Sequence, residues 1–195
     1  LVDYLVVNIS SPNTPGLRAW QDKDRLIRLI STLQDHRAGL ASAKGGSIPL
    51  LIKIAPDLDE LSRRHIASTA LELKLDGLLV ANTTVARPNQ LQSSNKEEIG
   101  GLSGRPIFKA STSLLADMYR RVDGAIPLIG VGGISSGNDA YIKLRAGASL
   151  IQLYTALIYH GPQLVLKIKA DLAARVTKDG FKNIASLVGV DAAMY

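Results

Sequence analysis

The chain has 195 residues, of which 46% are hydrophobic and 21% charged, and these proportions suit one α/β domain spanning 1–195. No cysteine is present, which excludes disulfides, zinc–thiolate sites and a cysteine nucleophile. The formal charge of +6 is dispersed and aromatic residues make up only 5%, so nucleic acid is not an expected partner. The three histidines lie far apart, so no metal ion is expected either.

Five apolar segments predict β-strands, and each of them ends in polar residues or glycines. Their ranges, in chain order, are 3–7, 50–56, 77–84, 127–134 and 149–155. Five further segments predict helices, over 23–40, 60–75, 111–122, 137–146 and 162–178. Asp57 or Asp59 is the expected start signal of the second helix, and Gly147 is the expected stop signal of the fourth.

The strict alternation of strands and helices predicts parallel βαβ units. Five units without a break indicate either a (β/α) barrel or a doubly wound sheet. The barrel is favoured because polar groups follow every strand, whereas a doubly wound sheet concentrates its site at one switch point.

The segment after the first strand, NISSPNT at 8–14, carries two amides and two hydroxyls between Asn8 and Asn13. At the carboxyl end of a buried strand, such groups suit a polar, planar ligand. The alternative is an ordinary turn, since Ser, Pro and Asn also dominate turns for backbone reasons.

Lys53 lies within an otherwise apolar strand, where an unpaired ammonium group is costly to bury. One interpretation is a fixed cation beside a group that becomes negative during a reaction, such as a reduced flavin. The other is a lysine that extends its charge into water at the strand end. The position of Lys53 next to the end of its strand favours the first interpretation.

A phosphate site is indicated by the glycines in GVGG, at 130–133, and by Tyr154 and Thr155 after the next strand. Glycines at a strand end let backbone N–H groups approach an anion, and barrels often bind phosphate between their last two strand-end loops. A purely structural turn is the alternative. The positive net charge agrees weakly with an anionic ligand.

Six motifs occur in one order: 3–14, KIAPDL at 53–58, NTT at 82–84, GGLSG at 100–104, GVGG at 130–133 and LYT at 153–155. Together they closely resemble class 2 dihydroorotate dehydrogenases, the FMN- and quinone-dependent enzymes of pyrimidine (UMP) synthesis. The resemblance runs essentially from end to end of the chain. It implies a TIM (β/α)8 barrel, of which this chain supplies about five units, strands four to eight.

The resemblance also implies the chemistry of the site. Ser11 matches the catalytic base that takes a proton from C5 of dihydroorotate while hydride passes from C6 to flavin N5. Class 1 enzymes carry cysteine there, so serine favours class 2. Because a serine hydroxyl is a weak base, it is expected to pass its proton onward through water. The residues that match the orotate-binding positions are Asn8, Asn13, Asn82 and Thr83.

FMN is the cofactor that the resemblance implies. Lys53 would stabilise negative charge at N1 and O2 of the reduced ring, and the Thr155 hydroxyl would lie at the phosphate. Ala81 stands where relatives often have threonine. The loop over 84–103 would be a mobile lid, or a simple surface loop. The positions assigned to FMN are Asn8, Lys53, Ala81, Ser103, Gly104, Gly132, Gly133, Tyr154 and Thr155.

The family's first three strands are expected to be missing, as are the amphipathic helices that admit quinone and attach the enzyme to a membrane. Five strands cannot close an eight-stranded barrel, so we expect the isolated 195 residues to be inactive. The resemblance favours the mitochondrial inner membrane, with the bacterial cytoplasmic membrane as the alternative. Two other functions remain open: a lyase or isomerase of another phosphate-binding barrel family that uses Lys53, and an inactive barrel fragment.

Overall fold

All five predicted strands form, and they make one parallel sheet. The computed structural model describes residues 2–44 and 47–195. The strands lie side by side in chain order and are β1 Leu5–Asn8, β2 Leu50–Ile54, β3 Gly77–Val80, β4 Leu128–Val131 and β5 Leu150–Gln152. Strands β2 to β5 end before their predicted segments do, because the last residues of those segments leave the hydrogen-bonded ladder and form the strand-end loops. Strand β1 begins two residues later than predicted and extends one residue further, to Asn8.

Helices connect the strands, as the alternation predicted. They are α1 Lys23–Lys44, α2 Glu60–Glu72, α3 Phe108–Val122, α4 Gly137–Arg145, α5 Thr155–His160 and α6 Gln163–Lys178. Helix α3 begins three residues before its predicted start. The short α5 was not predicted, because six residues give too little periodicity to detect. Asp59, and not Asp57, caps α2 by accepting a hydrogen bond from the Ser62 N–H at 2.7 Å.

The two faces of the sheet are apolar, and the helices of the described chain cover one of them. Alternate strand residues such as Ile52, Leu78 and Leu128 belong to the main core with the helices. The opposite set forms a separate inner cluster of Leu51, Leu79 and Ile129, packed with Tyr4, Val6 and Val131. A doubly wound sheet would carry helices on both faces, so this arrangement is that of a barrel wall.

The sheet curves strongly between its two edge strands. Gln152, at the end of β5, donates a hydrogen bond from Nε2 to the Tyr4 hydroxyl, just before β1, at 2.7 Å. These strands are the first and last in the sheet order, so only a curved sheet lets their inner side chains meet. The chain therefore forms part of a (β/α)8 barrel, as predicted. Among the described residues, no helix has the length and apolarity that a membrane span requires.

Candidate active site

A cavity of about 650 Å³ opens at the carboxyl ends of β2 to β5. This is the end of a barrel at which ligands bind, and the volume falls within the usual range for small-molecule and cofactor sites. Ten of the predicted site residues line the cavity: Lys53, Ala81, Asn82, Thr83, Ser103, Gly104, Gly132, Gly133, Tyr154 and Thr155. The sequence did not single out Arg105, Ser135, Tyr159 or His160, which line it too.

Lys53 projects from the inner face of the sheet, two residues after the inner residue Leu51. It is half-buried, and burial lowers the pKa of its ammonium group. Its register partner on β1 is Asn8, so these two polar side chains leave neighbouring strands on the same face. Among the described residues no carboxylate pairs with Lys53, and an unpaired cation at a cavity wall favours negative charge on a bound ligand.

The glycine-rich loop after β4 borders the cavity closely. Gly133 has a φ of +76°, and a Cβ there would lie 2.6 Å from the Cα of Phe108 and 2.8 Å from its nitrogen. Only glycine fits this backbone, because a side chain would be both strained and blocked. The Gly133 N–H has no acceptor among the described residues, so it is available to a ligand.

Opposite this loop, Thr155 begins α5 and its hydroxyl donates to the Ser103 Oγ at 2.9 Å. Gly104, the residue after Ser103, has a φ of +74°, and a Cβ there would lie 3.1 Å from the Thr155 Cγ2. The loop that carries Ser103 and Gly104 therefore approaches the start of α5 through small residues. This leaves backbone groups and hydroxyls at the part of the cavity where an anion was predicted.

The amides predicted to bind substrate form one connected group. Asn82 donates from Nδ2 to the Asn8 Oδ1 and to the Ser10 Oγ, both at 2.9 Å. The Oδ1 of Asn82 accepts from the Thr83 N–H at 2.9 Å, which fixes the orientation of the amide. The ends of β1 and β3 are thus tied together across the end of β2.

Ser11, Asn13 and Asn8 lie outside the lining of the cavity, although they are on the same edge of the sheet. The Ser11 hydroxyl is half-buried and accepts a hydrogen bond from the Asn13 N–H at 3.2 Å. Their loop reaches the loop after β3, because a Cβ on Gly101 would lie 3.0 Å from Pro12. The catalytic role of Ser11 stays a prediction.

Arg18 joins three strand-end loops, a role the sequence did not indicate. Its guanidinium donates to the Ser10 carbonyl at 3.1 Å, the Thr83 carbonyl at 3.0 Å and the Asp57 carboxylate at 2.8 Å. Asp57 also accepts from the Thr84 hydroxyl and from the Val85 N–H. Charge-assisted hydrogen bonds of this kind hold backbone segments at fixed positions. Their only sequence signal is the position of Arg18 just after the Asn-rich motif.

The predicted lid leaves the sheet edge after β3 and returns before α3. Thr84 and Leu102 pair as a single antiparallel bridge at its base. Arg87 donates to the carbonyls of Glu98 and Gly100, both at 2.7 Å, and so fastens the two arms of the loop to each other. Most residues between 85 and 99 are exposed.

The described residues contain no group of three or more His, Asp or Glu side chains that could hold a metal ion. The cavity is lined by amide, hydroxyl and backbone groups and by the basic side chains of Lys53, Arg105 and His160. Together with the curved parallel sheet, this lining defines a (β/α)-barrel protein whose site suits a polar, anionic ligand.

Known proteins have a similar sequence and a similar fold. The family model for dihydroorotate dehydrogenase matches residues 1–176. A protein of Azorhizobium caulinodans, dihydroorotate dehydrogenase (quinone), is 52% identical over 191 residues, which are 98% of this chain and 54% of the relative. The mouse protein, dihydroorotate dehydrogenase (quinone), mitochondrial, is 50% identical over 98% of this chain and 48% of its own length.

A solved structure agrees. The Eimeria tenella dihydroorotate dehydrogenase in complex with ferulenol superimposes with a TM-score of 0.93 at 42% identity, covering 97% of this chain and 54% of that one. The chain thus spans about half the length of the relatives it matches. It belongs to the dihydroorotate dehydrogenase family.

Proposed function

We propose that the protein carrying this chain oxidises (S)-dihydroorotate to orotate in pyrimidine synthesis, with FMN as cofactor and a quinone as final electron acceptor. One observation carries the proposal. A single cavity is lined by Lys53, Asn82 and the Gly132–Gly133 loop, in a chain about 50% identical to quinone-dependent dihydroorotate dehydrogenases. These residues offer a cation, an amide and backbone donors to one ligand.

Two features of the cavity support FMN as its ligand. Its volume suits a cofactor, and Gly133 presents a backbone N–H without a protein acceptor among the described residues, a suitable donor for phosphate. Ser103, Gly104, Tyr154 and Thr155 would complete the phosphate end. When bound there, FMN would supply the two-electron acceptor for the hydride that leaves C6 of the substrate.

Lys53 would act at the other end of the cofactor. Its ammonium lies on the inner face beside Asn8, and no carboxylate in the described part of the chain pairs with it, so negative charge on the ring would be stabilised electrostatically. Burial lowers the pKa of Lys53, and an anionic ligand would raise it again and keep the group charged.

The amides after β1 and β3 would orient the substrate. Asn82 is held by Asn8 and Ser10, which fixes its side chain before any ligand arrives. Dihydroorotate carries two ring N–H groups, two ring carbonyls and a carboxylate, and primary amides can both donate to and accept from such groups. Asn13 and Thr83 would contribute further contacts of the same kind.

Ser11 would remove the proton. As C6 loses a hydride, the C5–H bond gives up a proton to the Ser11 Oγ, and its electron pair forms the C5–C6 double bond of orotate. The hydroxyl releases its own proton to water, so charge balances. Arg18 fastens the Ser10 carbonyl next to this residue, which limits the positions that the Ser11 side chain can take.

The quinone site and the membrane attachment are proposed to lie in the part of the full-length relatives that this chain does not match. We propose the mitochondrial inner membrane as the location, since the mouse relative is named mitochondrial. The bacterial cytoplasmic membrane is the alternative, because bacterial relatives are equally similar. Fractionation of source cells, followed by detection of the protein, separates the two.

The test is anaerobic stopped-flow absorbance of the purified full-length natural polypeptide. Dihydroorotate should bleach the flavin absorbance, and a quinone should restore it. Ser11→Ala should slow bleaching by about 10²-fold or more while flavin content stays normal, because general bases typically contribute 10²- to 10⁴-fold. Lys53→Ala should reduce both flavin content and bleaching rate. Ser113→Ala, on α3 and outside the cavity lining, is the matched control.

Two results would refute the proposal. The first is a purified protein that holds no flavin and takes none up. The second is a Ser11→Ala variant that bleaches as fast as the control. A reducible imine between Lys53 and a carbonyl substrate, trapped with borohydride, would instead favour a Schiff-base lyase.

A further inference from the structure

Lys143 is fully buried, which is rare for a lysine. It lies on α4 and its exposed fraction is 0%. Desolvation lowers its pKa to about 7, and the charge of Asp139, one turn earlier, opposes this shift. Among the described residues, no carboxylate lies within ion-pair distance of Lys143. The ring of Phe108 is 5.2 Å from its Nζ. Such a group is expensive to bury unless something compensates it.

The hydrogen bonds of Lys143 lead to the glycine-rich loop. Its Nζ donates to the Ser111 Oγ at 2.7 Å. The Ser111 hydroxyl is in turn 3.1 Å from the carbonyl oxygens of Gly132 and Phe108, to which it can donate. Ser111 is itself fully buried. A buried cation therefore connects, through one hydroxyl, to the backbone that borders the cavity.

This connection sets the direction of one peptide unit. In a planar, trans peptide the carbonyl of Gly132 and the N–H of Gly133 point in opposite directions. Since the Gly132 oxygen is held by Ser111, the Gly133 N–H points away from Ser111. That N–H has no acceptor among the described residues, and both glycines line the cavity. The Gly133 N–H and the buried charge of Lys143 therefore both favour an anion in the cavity beside the Gly132–Gly133 loop.

We propose that Lys143 is a positioning residue for the phosphate of the cofactor: it supplies the buried counter-charge beneath the Gly132–Gly133 loop and, through Ser111, holds the Gly133 N–H toward the anion. This inference rests on the proposed function, because it takes FMN as the ligand. It assigns to Lys143 no contact with the substrate or the flavin ring. The phosphate compensates the charge that the protein leaves unpaired.

The test compares FMN with riboflavin, which lacks only the phosphate. Apo protein, prepared from the full-length natural polypeptide, is titrated with each, and flavin fluorescence gives the two Kd values. Their ratio reports the contribution of the phosphate. Lys143→Met keeps the volume of the side chain and should lower the ratio at least tenfold. Ser111→Ala keeps the charge but breaks the connection, and should lower the ratio several-fold. Lys167→Met, at an exposed position on α6, should leave it unchanged.

Each outcome has a defined meaning. A Lys143→Met protein with the wild-type ratio overturns the inference. So does equal weakening of FMN and riboflavin, because that is the result of a purely structural role. If Lys143→Met does not fold by circular dichroism, Ser111→Ala decides, and a wild-type ratio in that variant refutes the connection. Failure of the wild-type protein to bind either flavin would refute the proposed function instead.

Discussion

Replacing Lys143 with methionine should remove a large pH dependence from the stability of the apo protein. Burial lowers the pKa of Lys143 from 10.5 to about 7 in the folded state. Between these two values the unfolded chain binds more protons at this side chain than the folded chain does. The free energy of unfolding therefore rises with pH across this window, and below it the full cost of burying the ammonium remains.

The size of the effect follows from the two pKa values. The cost of burying the charged form is about 5 kcal/mol well below pH 7, at about 1.4 kcal/mol per pKa unit. From pH 6 to pH 9 the linkage relation reduces this cost by roughly 3 kcal/mol. Lys143→Met has no charge to bury, so the variant should be more stable than the wild type at pH 6. This difference in the free energy of unfolding should be smaller at pH 9 by roughly 3 kcal/mol.

Urea unfolding of the apo proteins at pH 6 and pH 9 measures the change. Other titrating groups contribute equally to both proteins and cancel in the difference. Lys167→Met, an exposed lysine, should follow the wild type at both pH values. Saturating FMN should reduce the pH dependence of the wild type, because an anion above Gly132–Gly133 stabilises the charged lysine. An advantage of Lys143→Met that is the same at pH 6 and pH 9 would show that Lys143 is not the titrating group.

Three further predictions concern the loops and helix ends. Gly133→Ala should abolish flavin binding, because its Cβ would lie 2.6 Å from the Cα of Phe108, and the purified variant should be colourless; a yellow protein with normal flavin content would contradict the geometry. Asp59→Ala should lower the free energy of unfolding through loss of the α2 cap, measured in urea against Asp59→Asn, which retains an acceptor and should lose little. Arg87→Ala should speed limited proteolysis within 85–101, because it removes the hydrogen bonds to the carbonyls of Glu98 and Gly100. The control is Arg64→Ala, at an exposed position on α2. Equally slow cleavage of the two variants would show that other contacts hold the loop.

The strands and their polar ends could be predicted because both are local patterns. The apolar run at 50–54 is buried on two faces, and Lys53 lies on the inner face near the end of this strand. The glycines at 130–133 were predicted to let backbone N–H groups approach an anion; Gly133 has a positive φ, which favours glycine there, and its contact with an anion stays a prediction. Lys53 and Gly133 line one cavity, as the sequence implied for residues at parallel strand ends. The roles of Ser11, Asn8 and Asn13 stay predictions, since these residues lie outside its lining.

The sequence by itself determined the alternation of strands and helices and the kinds of group at each strand end, because burial periodicity and turn chemistry act over a few residues. Only the tertiary structure decided what those groups meet. Gln152 reaches Tyr4 across 148 positions, and Lys143 finds Ser111 on another helix. Such partners depend on strand order and sheet curvature, and these are properties of the whole assembled sheet.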